Sequence, residues 1–140
     1  MASLVALAAC GRSDGPPLDA EAVRVGALVY GRHCASCHGA RGEGASDWKR
    51  ADARGVLPPP PHDSTGHTWH HADGLLFRIV DRGTAAALGD PSLAARTAMP
   101  PFGDSLSAAE IRAVLTYIKT WWTPEQRAMQ VEASRDDPLP

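Results

Sequence analysis

Cys34-Ala35-Ser36-Cys37-His38 places two thiols and an imidazole within five residues. This C-x-x-C-H spacing is that of covalent c-type haem attachment. The two thiols add to the two vinyl groups of haem as thioethers, and the neighbouring imidazole is held under the iron as an axial ligand. A thioredoxin-like use of Cys34 and Cys37 would want a β-α-β context, which the surrounding pattern does not offer. A zinc site would want a second ligand pair at suitable spacing. His62, His67, His70 and His71 could supply it, yet C-x-x-C-H next to Gly39, after a helix, favours haem.

A six-coordinate iron needs a ligand opposite His38. Met/His ligation is the pattern that raises the potential of cytochromes c. Of the three methionines, Met1 lies in the apolar start and Met129 lies among polar residues beyond the last apolar helix. Met99, in Ala98-Met99-Pro100-Pro101-Phe102, sits in a loop that can carry a thioether over the far haem face, with Pro100 stiffening it. The competing role for Met99 is to fill a gap in the core.

His62, His67, His70 and His71 fall within ten residues. Imidazoles are common metal ligands, so a second metal such as copper or zinc is one reading of this stretch. Gly66 and the preceding prolines favour a loop instead, with the histidines packing at the entry to the next helix and Trp69 near the haem. His33 reads as a helix-end residue.

The elements that must position these groups can be read from caps and periods. The chain has 140 residues, one domain's worth. Asp19 can cap a helix from about Ala20 to Gly31 or His33, with Leu18 and Val23 as its hydrophobic staple. Residues 39–61 read as a long loop ending in Leu57-Pro58-Pro59-Pro60-Pro61, and a loop of that length in a compact domain is usually functional. A second helix is expected from near Asp73 to Gly83, with Leu76, Ile79 and Val80 on one face. Residues 84–101 read as irregular. Ser107 and Glu110 fit a capping box, Leu106 and Ile111 its staple, and Ile111, Val114, Leu115 and Ile118 a helical apolar stripe that ends before Pro124. Residues 125–140 read as a polar tail. No strand pattern appears, so the expected class is all-α with long loops.

Composition narrows the function. Lys+Arg number 14 and Asp+Glu 16, a near-balance that gives no reason to expect a nucleic-acid partner. Aromatics are 6% while Gly and Pro number 13 and 12, so a buried haem would supply apolar surface that the chain lacks. Three cysteines argue against a disulfide framework. Residues 1–10, MASLVALAAC, are far short of the about 20 apolar residues that span a bilayer. They resemble a truncated secretory signal ending in a lipobox, with Cys10 as the lipidated residue and 11–17 as a flexible tether. No Lys or Arg precedes the apolar run, which departs from such a signal.

Taken together, Gly26, Tyr30 and the C-A-S-C-H-G run, Val114 and Tyr117 on the last apolar helix, Met99-Pro100, and the Pro-rich segment before the middle helix resemble a class I bacterial cytochrome c. The resemblance covers about Leu18 to Trp122. It implies a cytochrome c fold over 18–124, three to five helices and long loops around one covalent haem c and its iron. It further implies that the first and last helices cross at Gly26 and Tyr30, and that a proline carbonyl, from Pro58, Pro59, Pro60 or Pro61, accepts from the ligand histidine. The expected function is a periplasmic one-electron carrier, not an enzyme, that docks weakly on redox proteins such as membrane oxidoreductases at the exposed haem edge. A monomer is expected, touching the membrane only through Cys10. The alternatives are a haem enzyme or small-molecule sensor with an open iron position, and a copper-handling cytochrome using residues 62–71.

Overall fold

The computed structural model describes residues 15–140, so the apolar start, Cys10 and most of the tether lie outside the described residues. The Asp19 carboxylate accepts from the Ala22 N–H at 2.7 Å and starts α1, Ala20–His33. Cys34 then leads into the short α2, Ala35–His38. Four further helices follow: α3 (Asp73–Arg82), α4 (Thr84–Leu88), α5 (Ala108–Ile118) and α6 (Pro124–Ala133). Single 3-10 turns occupy Thr68–His70, Pro91–Ala95 and Lys119–Trp121. Among the described residues there is no strand, only an isolated parallel bridge between Leu57 and Thr97. The fold is all-α, with more helices than the three to five expected. The extra ones are short or polar: α4 carries no side-chain cap and simply fits between Gly83 and Gly89, both at positive φ.

The α1–α5 crossing is the largest contact between elements. Ser107 accepts from the Glu110 N–H and Glu110 accepts from the Ser107 N–H, closing the capping box of α5. Leu106 is buried with Ile111, as the staple requires. Ile111, Val114, Leu115 and Ile118 are all buried. Burying such a side chain is worth roughly 1.5–3 kcal/mol, against about 1 kcal/mol for a cap. Packing therefore holds α5 in place, and the cap sets where it begins. The crossing is close because Gly26 has no side chain. A Cβ there would overlap the Ala113 carbonyl and the Tyr117 Cβ. Ala113, rather than Val114, is the residue that meets Gly26. Tyr30 and Tyr117 pack beside the crossing with ring centroids 5.6 Å apart.

Residues 125–140, expected as a polar tail, are part of the fold. Thr123 and Gln126 form a second capping box, and α6 follows with Pro124 at its first position. Its buried residue is polar: Gln130, 1% exposed, donates to the Asp73 carboxylate at 2.7 Å. Lys119 Nζ lies 2.7 Å from the other oxygen of Asp73, with both side chains nearly buried. The N-terminus of α3 has no cap of its own. The Ser134 hydroxyl accepts from the Asp73 N–H, and the Asp137 carbonyl accepts from the Gly74 N–H. Arg78 then forks onto the Asp137 carboxylate with two bonds of 2.8 Å. A helix held by hydrogen bonds rather than an apolar stripe escapes a search for hydrophobic periods.

Two substitutions test this packing. Gly26→Ala is expected to lower unfolding free energy by about 1–3 kcal/mol through overpacking, while Gly31→Ala, which meets open space, is neutral or stabilising in denaturant titrations of the purified protein. Lys119→Met leaves the Asp73 charge buried without its cation. It should cost about 3–5 kcal/mol, read from the same titrations; a cost below about 1 kcal/mol would contradict the assigned role of the pair.

Candidate functional site

The five residues of C-x-x-C-H wrap one tight turn. The Cys34 N–H bonds to the Tyr30 carbonyl at the end of α1, and the Cys37 and His38 N–H groups bond to the Cys34 carbonyl at 3.1 and 2.9 Å. His38 is 7% exposed, Cys34 half-buried and Cys37 exposed. Burial, helped by neighbouring Cys37, pushes the Cys34 thiol up to about 11. His38 Nδ1 lies 2.9 Å from the Pro60 carbonyl oxygen. A carbonyl can only accept, so Nδ1 carries the proton and Nε2 keeps its lone pair. Burial holds the His38 pKa below its ordinary value, and the Pro60 bond only partly offsets that. Two thiols and a neutral imidazole with a bare Nε2, on one turn, are a donor set that fits a covalently attached haem.

The four prolines are thus resolved: Pro60 faces His38. Its position follows from the loop after α2. The Gly44 N–H bonds back to the His38 carbonyl at 2.8 Å, Ala45 N–H to the Pro59 carbonyl, and His62 N–H to the Gly42 carbonyl at 2.7 Å. Gly44 sits at φ +60°, and a Cβ there would overlap Pro60 and Pro61. The long loop is therefore a paired turn, with residues 39–45 laid against 59–63. Tyr30 anchors it from the core, its hydroxyl donating to the Gly39 carbonyl at 2.8 Å.

Met99 is half-buried in the segment before α5. That segment is tied on both sides. Upstream, the Leu57 N–H bonds to the Arg96 carbonyl at 2.9 Å, beside the Leu57–Thr97 bridge. Downstream, the Phe102 and Gly103 N–H groups bond to the Val80 and Asp81 carbonyls at the end of α3. The Thr97 hydroxyl accepts from the Met99 N–H at 3.2 Å.

The histidines after Pro61 stack on different rings. His62 stacks on His38, centroids 4.0 Å apart at 27°, and bonds through Nδ1 to Thr68 Oγ1 at 2.9 Å. Burial, with His38 and His67 nearby, brings the His62 pKa down to about 3, so the ring is neutral. His67 stacks flat on Trp48 and meets His71 edge-on, and burial followed by His71 lowers its pKa. His70 stacks on Trp69. Among the described residues no group of three or more His, Cys, Asp or Glu is placed to hold a metal ion. The His62–His38 contact is the site feature that sequence reasoning missed, because a lone histidine two residues after Pro60 carries no signal of what it faces.

Residues 21–118 match the family described as cytochrome c oxidase, cbb3-type, subunit III. No match to curated proteins was found. A solved structure, cytochrome CL from the marine methylotrophic bacterium Methylophaga aminisulfidivorans MPT, is 22% identical, with a TM-score of 0.49. The similarity covers 79% of this chain and 66% of that one, so the chain spans just under two thirds of that protein's length. Proteins of the matched family are typically extracytoplasmic, and redox proteins are their partners. Among the described residues no helix is long and apolar enough to cross a membrane. With C-x-x-C-H inside the matched residues and most of its length matched, the chain belongs to this family of class I-like c-type cytochromes, electron carriers built on covalent haem c and its iron.

Proposed function

We propose that the chain is a periplasmic one-electron carrier in which Cys34 and Cys37 hold the haem and His38 and Met99 ligate its iron from opposite sides. The observation that supports this reading best is a shared anchor. Pro60 accepts from His38, and Leu57, three residues earlier, is bonded to the strip that leads into Met99. One short stretch of backbone thus sets the positions of both ligand-bearing segments. Bound, the haem supplies one reversible electron. The protein's part is to keep the coordination unchanged while the charge changes. Pro60 holds the His38 tautomer and raises the ring's basicity. Pro100 and Pro101, with the bonds at Val80 and Asp81, hold Met99 against displacement. The core around Tyr30, Leu76, Phe77 and Val80 lowers the local dielectric, which tunes the potential.

Cys37, the exposed member of the pair, marks the edge where redox partners, among them membrane oxidoreductases, would dock. Such encounters are small and transient, and a monomer suffices for them. The domain of 18–124 would extend through α6 to the C-terminus. Cys10 would be lipidated, and 11–17 would tether the domain beside its membrane partners.

Two experiments test this. Ferric wild-type holoprotein should show the sulfur-to-iron charge-transfer band, with ferrous protein refusing carbon monoxide. Met99→Ala should lose the band, bind carbon monoxide readily and have a lower potential; survival of the band in Met99→Ala would remove Met99 from the iron, and ready carbon monoxide binding by wild type would favour an open-site enzyme or sensor. For the anchor, Cys10→Ser should move the protein from the membrane to the soluble periplasmic fraction. A mutant that stays as membrane-bound as wild type would show that Cys10 is not the anchor.

A further inference from the structure

A single hydrogen bond at one edge does not fix an imidazole. With Nδ1 tied to the Pro60 carbonyl, the His38 ring can still swing about the N–H···O line. A contact on its face would stop that, and the His62 ring makes one. The His62 ring lies 4.0 Å from the His38 ring, only 27° from parallel. We infer that His62 is a positioning residue: stacked on His38, it fixes, together with the Pro60 carbonyl, the plane in which His38 meets the iron. The inference rests on the proposed ligand role of His38.

His62 is itself held more firmly than packing requires. Its N–H bonds to the Gly42 carbonyl at 2.7 Å, and its carbonyl accepts from the indole N–H of Trp122, which is 3% exposed. Its ring is fixed by a relay. The buried Thr68 hydroxyl donates to the Pro61 carbonyl at 3.3 Å, so its oxygen accepts from His62 Nδ1 at 2.9 Å. Backbone and ring are clamped by groups from three parts of the chain: the loop after α2, the first 3-10 turn and the residue that follows the third 3-10 turn. A leucine at this position would fill the volume, but it would find no partner in Thr68 and offer no flat face. His62 is not a rival for the second axial position. Rings stacked face to face at 4.0 Å cannot bind one ion from opposite sides, where the two nitrogens alone would be about 4 Å apart.

Two consequences follow. The plane of an axial imidazole sets how its π orbitals overlap the iron d orbitals, which the g-values of the ferric state report. The π face of His62 also favours the more electron-poor state of its neighbour, which is His38 bound to ferric iron. His62 therefore lowers the potential as well as orienting the ligand.

The test uses three variants of the purified holoprotein, His62→Leu, His62→Phe and Thr68→Val, with electron paramagnetic resonance of the ferric form and redox titration. His62→Leu should change the g-values and shift the ferric/ferrous equilibrium about fivefold toward ferrous, about 40 mV at 59 mV per tenfold. His62→Phe keeps a flat face and should stay closer to wild type than His62→Leu. Thr68→Val frees the ring and should shift both readouts in the same direction by less. Wild-type g-values and an equilibrium within twofold of wild type in His62→Leu would overturn the inference, as would His62→Phe behaving like His62→Leu. If His62→Leu does not yield holoprotein, unchanged g-values in Thr68→Val overturn it equally. Hyperfine coupling to an imidazole nitrogen in wild type separates the two levels. Its absence defeats the ligand role of His38 itself, whereas its presence with unresponsive variants defeats only the role of His62.

Discussion

The bond from His38 Nδ1 to the Pro60 carbonyl, 2.9 Å long, is the constraint around which the site is arranged. It determines which nitrogen keeps a lone pair, and so which one can serve a metal. It also ties α2 to a strand-like segment 22 residues away. For Pro60 to stand there, the chain between must double back. Gly44, at φ +60° and pressed against Pro60 and Pro61, is what makes the fold-back close enough. The same segment then reaches Thr97 through Leu57. Ligand chemistry and loop architecture are thus one problem with one solution.

The helices supply the fixed frame behind this. The α1–α5 crossing is close because of Gly26, and it carries the C-x-x-C-H turn at the end of α1. Tyr30 spans the gap, bonded to Gly39 at one end and packed on Tyr117 and Trp121 at the other. The second frame is polar. Asp73 gathers Lys119 and Gln130, and Ser134 and Asp137 complete the start of α3. Since Val80 and Asp81, near the other end of α3, hold the segment after Met99, α3 links the C-terminal residues to that segment.

What could be read from sequence divides along physical lines. Groups defined by contiguous spacing were legible: the two thiols and imidazole, the Asp19 cap, the Ser107–Glu110 box and the buried stripe of α5. Each depends on residues a few positions apart. Groups defined by non-local pairing were not. Nothing in four consecutive prolines distinguishes Pro60, because the choice depends on the turn at Gly42 and Gly44. The α6 helix reads as tail in sequence because its key contacts are hydrogen bonds from Gln130 and Ser134 rather than apolar burial. The histidines after Pro61 read as a cluster in sequence, but the folded chain stacks His62 on His38, His67 on Trp48 and His70 on Trp69.

The proposed arrangement, in which His38, held as the Nδ1–H tautomer by Pro60, and Met99 face one haem from opposite sides, can be probed without mutation. A nuclear magnetic resonance spectrum of the ferrous, diamagnetic holoprotein tests it most directly. The expected spectrum has a slowly exchanging His38 Nδ1 proton, no proton on Nε2, and His38 ring and Met99 methyl resonances both shifted strongly upfield by the haem ring current. A protonated Nε2, or a Met99 methyl at its ordinary position, would contradict it.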